Sequence, residues 1–158
     1  MTAVMRTEAT GAFSYQSIGE DYVREREWAA LQWGYSTGKS RVMLTRLVRD
    51  PRINYTLLFC RLDNVSDLIK EIKKHSTLEY TELTGKNSDV QCIVERFSRC
   101  PRSQRSKHVF LTNYAKARYL KEVFIALDVD AVVCDESTNI KHHTSAQSKA
   151  VYAIGHGP

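Results

Sequence analysis

The chain has 158 residues, with 23 lysines and arginines against 18 acidic residues, a net charge of +5, 42% apolar residues and 26% charged ones. That balance is typical of a soluble globular domain, and it excludes a disordered or low-complexity chain. No apolar run approaches the roughly 20 residues needed to span a bilayer, and MTAVMRTEATGAF lacks the continuous apolar stretch of a signal peptide, so no membrane partner and a cytoplasmic location are expected. The four cysteines, Cys60, Cys92, Cys100 and Cys134, have no C-x-x-C spacing and are expected as reduced core residues rather than a disulfide or zinc framework.

The first twelve residues carry little pattern and are expected as a loose arm, with one lobe over 13–158. YQSIGEDYVREREW, from Tyr15 to Trp28, places Ile18, Tyr22 and Val23 at spacings that share a helix face. WAALQW then reads as a short strand ending at Gly34. After the loop GYSTGKS, the repeat of Val42, Met43, Leu47 and Val48 predicts a helix.

The alternation continues. INYTLLFCR (53–61) is a buried strand, NVSDLIKEIKKH a helix with Val65, Leu68, Ile69 and Ile72 on one stripe, and LEYTELT (78–84) another strand. Ser88 and Gln91 have the spacing of a capping box ahead of a helix carrying Val90, Ile93, Val94 and Phe97. HVFLTNY, AKARYLKEVFIAL and DAVVCD follow as strand, helix and strand, and a last helix runs from about Ser145 to Ile154. Strands alternating with helices imply right-handed crossovers, hence an α/β fold with a mostly parallel sheet covered by helices on both faces.

Two segments carry chemistry. In GYSTGKS (34–40), backbone N–H groups of a turn that opens a helix can cradle a polyphosphate, which assigns Gly34, Tyr35, Ser36, Thr37, Gly38, Lys39 and Ser40 to nucleotide binding. Lys39 reaches the β- and γ-phosphates and Ser40 offers a hydroxyl to magnesium. The usual pattern has a further glycine at position 33, where this chain has Trp33. DEST (135–138) ends the strand AVVCD, at the end of a parallel sheet where ligands bind. Asp135 is placed to hold magnesium and Glu136 to orient or deprotonate the attacking water. Either segment alone also fits a solvated turn. Together, in this order and on these elements, they point to one magnesium-nucleotide centre, with Glu136 and Lys39 as its catalytic residues.

The acid-free run RFSRCPRSQRSKH (96–108) is the candidate for contact with a phosphate backbone, through Arg99, Arg102, Arg105 and Lys107, with Asn113 and Tyr114 nearby. A solvated loop is the competing reading. His142 and His143 are expected as solvated loop residues, and Trp28 and Trp33 as packing residues.

On these motifs the chain resembles the superfamily 2 helicase-like ATPases, and within them the Swi/Snf-type translocases and their phage and bacterial relatives. SYQ (14–16) looks like the first motif, whose glutamine reads adenine, which implies that role for Gln16. GYSTGKS looks like motif I, with Ser36 where a glycine is common. INYTLLFCRLDNVSDLIKEIKKH resembles the segment of motif Ia, departing from it at Cys60-Arg61-Leu62 and Leu68. HVFLTNYAKAR is similar to the strand ending in Thr-x-Tyr, and VVCDESTNIKHHTSAQSKAV closely resembles motif II and the Ser/Thr-initiated helix after it.

The resemblance implies a RecA-like three-layer fold, ATP with magnesium, and DNA as partner. It also implies a second RecA-like lobe, or a partner protein, that supplies an arginine to the γ-phosphate. The chain alone is therefore expected to bind ATP and hydrolyse it weakly. The rival expectation is a non-enzymatic module, derived from such a lobe, that binds nucleic acid or protein; a different P-loop enzyme such as a kinase is a third.

Overall fold

Continuous apolar strands separated by amphipathic helices can bury both faces of a sheet only if helices cover it on both sides. That is what the computed structural model, which describes residues 6–7, 12–33 and 37–156, contains. Within the expected arm, strands β1 (Arg6–Thr7) and β2 (Ala12–Phe13) pair antiparallel, and helix α1 (Ser14–Arg24) follows directly. Helix α2 (Lys39–Arg49) begins at the last two residues of the GYSTGKS segment. Then come β3 (Tyr55–Cys60), α3 (Val65–His75), β4 (Glu79–Glu82), α4 (Asn87–Ser98), β5 (His108–Asn113), α5 (Tyr114–Tyr119), α6 (Lys121–Ala126), β6 (Ala131–Cys134) and α7 (Ala146–His156). Among the described residues no helix is long and apolar enough to cross a membrane.

The main sheet is parallel throughout, in the order β4-β5-β3-β6. Strand β3 is buried at every position, and its two-residue period divides the core. Tyr55, Leu57 and Phe59 face α4 to α7, where Phe110, Phe124, Leu127 and Val151 complete one cluster. Leu58 and Cys60 face α2 and α3, against Leu44, Leu47, Leu68 and Ile72. The result is the expected α/β, RecA-like three-layer arrangement.

Several local expectations are corrected. WAALQW is not a strand: among the described residues, 27–33 are irregular and Trp28 to Ala30 are exposed. The indoles account for this. Trp33 lies over Gly19 of α1 and edge-on to Tyr15, and Trp28 packs 5.0 Å from the His156 ring, so the segment is tied to two helices rather than to a strand edge. The helix expected from Tyr15 to Trp28 ends at Arg24. AKARYLKEVFIAL is two helices that meet at Leu120, whose backbone leaves the helical region (φ −121°, ψ 27°); no glycine or proline marks the break. The Ser88–Gln91 capping box does not form, because α4 starts two residues earlier than it requires, with Lys86 rather than Ser88 as its N-cap, and the Ser88 hydroxyl bonds Asp89 instead. All four cysteines are free thiols, and Cys60 is buried, but Cys92 is exposed on α4 rather than in the core.

The amino-terminal edge of the sheet is closed by ions. The Lys107 ammonium donates to the carbonyls of Leu47, Asp50 and Ile53 at 2.7–2.9 Å, capping the end of α2. The Asp50 carboxylate, nearly buried, accepts from the Arg52 N–H and guanidinium and pairs with Arg46 at 2.7 Å, which holds its pKa down at about 2. A carboxyl with a depressed folded-state pKa contributes stability above its unfolded value, and loses it as pH falls toward 2. Asp50→Asn is therefore expected to destabilise the fold by roughly 2 kcal/mol at neutral pH and by much less near pH 2. Denaturant unfolding of the two proteins across that range measures this, and a pH-independent difference would contradict it.

Candidate nucleotide site

The site forms at the carboxyl ends of the strands, where open parallel sheets present their loops. Gln16, in the first turn of α1, is 4% exposed. Its side-chain oxygen accepts from the Phe13 N–H at 3.1 Å and its amide donates to the Thr37 carbonyl at 3.1 Å, so the SYQ segment is hydrogen-bonded to the residues just before α2. Gly38 has a left-handed backbone (φ 79°, ψ 30°), and a Cβ there would fall inside the contact distance of the Gln16 amide nitrogen. Glycine is thus required twice, by conformation and by close approach. Lys39 opens α2 and its ammonium donates to the Trp33 carbonyl at 3.0 Å, at the position where the usual loop has its first glycine. Ser40 is half-buried in the same first turn. Gly34, Tyr35 and Ser36 lie outside the described residues.

The acidic pair is built by sheet register. Phe59 of β3 is level with Cys134 of β6, and the Asp135 N–H continues the ladder to the Phe59 carbonyl at 2.8 Å. The buried Tyr114, from the Thr-x-Tyr strand end, donates its hydroxyl to the Asp135 carbonyl at 2.6 Å. Glu136 then adopts a left-handed backbone (φ 50°, ψ 58°), unusual for a side chain with a Cβ. Its carbonyl accepts from the Asn139 N–H, the Asn139 amide and the Thr138 hydroxyl, which hold the turn. Farther on, the Ser148 hydroxyl donates to the Ile140 carbonyl, and Ser145 accepts from the Ser148 N–H at the start of α7. Thr138 and Asn139 thus hold the turn after the strand, and Ser145 and Ser148 the start of the helix that follows it.

Burial pushes the Asp135 carboxyl pKa up and the neighbouring Glu136 charge adds to that, while the Lys39 ammonium pulls it down. The lysine of the first motif is thereby within electrostatic reach of the aspartate of the second. Among the described residues no three His, Cys, Asp or Glu side chains gather as a metal cage. The Ser40 hydroxyl and the Asp135 carboxylate are oxygen donors of the kind that magnesium takes, one or two at a time, alongside its waters and phosphate oxygens.

The basic run lies elsewhere. Arg102 pairs with Asp128 and Asp130, and Arg105, largely buried, bonds the Asp128 and Cys100 carbonyls and stacks 4.6 Å above Tyr55. With Lys107 these side chains close the amino-terminal edge of the sheet, opposite the acidic pair. Arg99 is exposed at the end of α4, and Asn113 caps α5 by accepting from the Lys116 N–H at 3.1 Å. His142 and His143 are exposed. Basic surface also lines a groove of about 460 Å³ between α2 and α3, with Arg41, Arg49 and Lys74.

One residue was missed from sequence. Arg61, the first residue beyond β3, places its Nε 4.0 Å from a Glu136 carboxylate oxygen and grips Asp63 through two hydrogen bonds, and both carboxylates raise its pKa, Asp63 foremost. The available signal was its position: a charged residue directly after a buried strand belongs to the same end of the sheet as DEST.

No protein-family model matches the chain, and no curated protein matches it in sequence. Solved structures do match. The SWI2/SNF2 ATPase core of Sulfolobus solfataricus, determined in complex with dsDNA, superposes with a TM-score of 0.66 at 18% identity. The likeness is one of fold. It covers 95% of this chain and 30% of that one, so the chain spans under a third of the neighbour's length.

The contact of Gly38 with Gln16 is testable. Gly38→Ala is expected to cost roughly 1–3 kcal/mol of stability. Gln16→Ala in the same chain should recover the steric part, so that the double variant is more stable than the sum of the two single losses predicts. Strict additivity in denaturant unfolding would contradict the contact.

Proposed function

We propose that this chain is the ATP-binding lobe of a Swi/Snf-like helicase or translocase ATPase. The observation that supports the reading is that the Lys39 charge lowers the pKa of the Asp135 carboxyl, an electrostatic influence between two motifs nearly a hundred residues apart. The likeness of fold to a SWI2/SNF2 ATPase core supports the same reading.

In this proposal loop 34–40 wraps the phosphates, Lys39 leaves the Trp33 carbonyl for the β- and γ-phosphates, and Gln16 reads adenine from its seat beside Thr37. Ser40 and Asp135 hold magnesium. When bound with the nucleotide, magnesium would supply neutralisation of the phosphate charge. Glu136, directed by its left-handed backbone, orients the attacking water and accepts its proton.

Hydrolysis by the lobe alone is slow in this account. A second RecA-like lobe, or a partner protein, supplies the arginine that stabilises charge on the γ-phosphate, a contribution of ~10³ to 10⁵ in related phosphoryl-transfer enzymes. DNA is the proposed track, by analogy with the dsDNA complex of the structural neighbour. With Arg102, Arg105 and Lys107 engaged inside the molecule, the proposed DNA contact from the basic run narrows to Arg99, together with Asn113 at the carboxyl end of β5.

A second reading, a non-enzymatic module that keeps the lobe as a scaffold for nucleic acid or protein, is favoured by the Lys39 bond to the Trp33 carbonyl, which occupies the phosphate-binding ammonium.

Calorimetric titration with magnesium-ATP separates the two. Lys39→Ala should weaken binding at least about tenfold, the scale of a charge-assisted hydrogen bond. Equal affinity of wild type and variant would favour the scaffold. Glu136→Gln should retain binding and lose turnover, basal or DNA-stimulated; unchanged phosphate release would remove Glu136 from the proposed role.

A further inference from the structure

Arg61 has no task in the reading so far. The pairing of β3 with β6 sets Phe59 level with Cys134 and joins Asp135 to Phe59, and Arg61 and Glu136 are the residues just beyond. Their side chains meet at 4.0 Å, with Arg61 about half exposed and Glu136 40% exposed. The guanidinium is aimed by Asp63, which takes Nε at 3.1 Å and Nη2 at 2.8 Å. Exposed ion pairs of this kind contribute little to stability, so the fold gives slight reason for the arrangement. The backbone on the other side is constrained. Glu136 sits in a left-handed conformation, fixed through its carbonyl by Thr138 and Asn139, and that conformation presents its carboxylate to Arg61.

We propose that Arg61 is a ligand for the terminal phosphate of the bound nucleotide and gives the site its preference for a triphosphate over a diphosphate; this rests on the nucleotide reading above. A carboxylate that orients the attacking water stands one water away from the phosphorus under attack. A guanidinium beside that carboxylate therefore borders the γ-phosphate, not the α or β. Its planar fork matches two phosphate oxygens as well as it matches the Asp63 carboxylate. Without nucleotide, Asp63 and Glu136 share the cation. With a γ-phosphate in place the guanidinium turns from Asp63 to the phosphate, and with a diphosphate it stays. Charge is exchanged between partners and no bond to carbon or phosphorus is made or broken.

The test compares affinities for the magnesium complexes of ADP and a β,γ-imido ATP analogue in wild type, Arg61→Ala, Arg61→Gln and Arg61→Lys, with circular dichroism as the check on folding. The alanine and glutamine variants should lose about tenfold in affinity for the triphosphate and less than about twofold for ADP, with lysine between. Equal losses for both nucleotides, or none for either, would overturn the role of Arg61 and leave nucleotide binding standing. Should wild type bind neither nucleotide, the nucleotide reading fails and this inference with it. If alanine disturbs the fold, glutamine and lysine carry the comparison.

Discussion

The parallel pairing of β3 with β6 is the constraint on which the rest of the site depends. Strand β3 is buried along its whole length, so its register is set by the core on both faces and cannot slip by one residue without turning Leu57 and Phe59 toward the wrong helices. That register carries Asp135 one step past the last paired rung and delivers Glu136 beside Arg61. Tyr114 then pins the Asp135 carbonyl from β5's end, so three neighbouring strands determine where two carboxylates sit.

The two ends of the sheet are chemically opposite. At the amino-terminal edge, charges are matched and closed: Lys107 by three carbonyls, Asp50 by Arg46 and Arg52, and Asp130 by the N–H groups of Asn54 and Tyr55 and by Arg102. At the carboxyl edge Asp135 and Glu136 follow β6 and Arg61 follows β3, and the half-exposed Arg61 bonds Asp63 and stands 4.0 Å from Glu136. Burial and the adjacent Glu136 charge raise the Asp135 pKa, and the Lys39 charge lowers it.

Much of the fold was legible in the sequence, because the central strands of an α/β protein are unbroken apolar runs and their covering helices keep one apolar stripe. INYTLLFCR, HVFLTNY and DAVVCD lie where their composition puts them. WAALQW was misread since its pattern of tryptophans looks like a strand but serves two helices, a relation between residues 28 and 156 that no local window contains. The internal pairing of the basic run was not legible for a similar reason. Its neutralising partners, Asp128 and Asp130, lie more than twenty residues on, and the carbonyls that hold Lys107 lie more than fifty residues back. DEST was readable because chemistry and strand end coincide there, whereas Arg61 needed the strand order to bring it to Glu136.

The central claim is that loop 34–40 and the acidic pair are one site. Backbone amide NMR during titration with magnesium-ATP tests it most directly. The amides of Thr37 to Ser40 and those of Asp135 and Glu136 are expected to shift together, saturating at the same nucleotide concentration. Shifts confined to one of the two segments, or found only in the basic groove between α2 and α3, would contradict it.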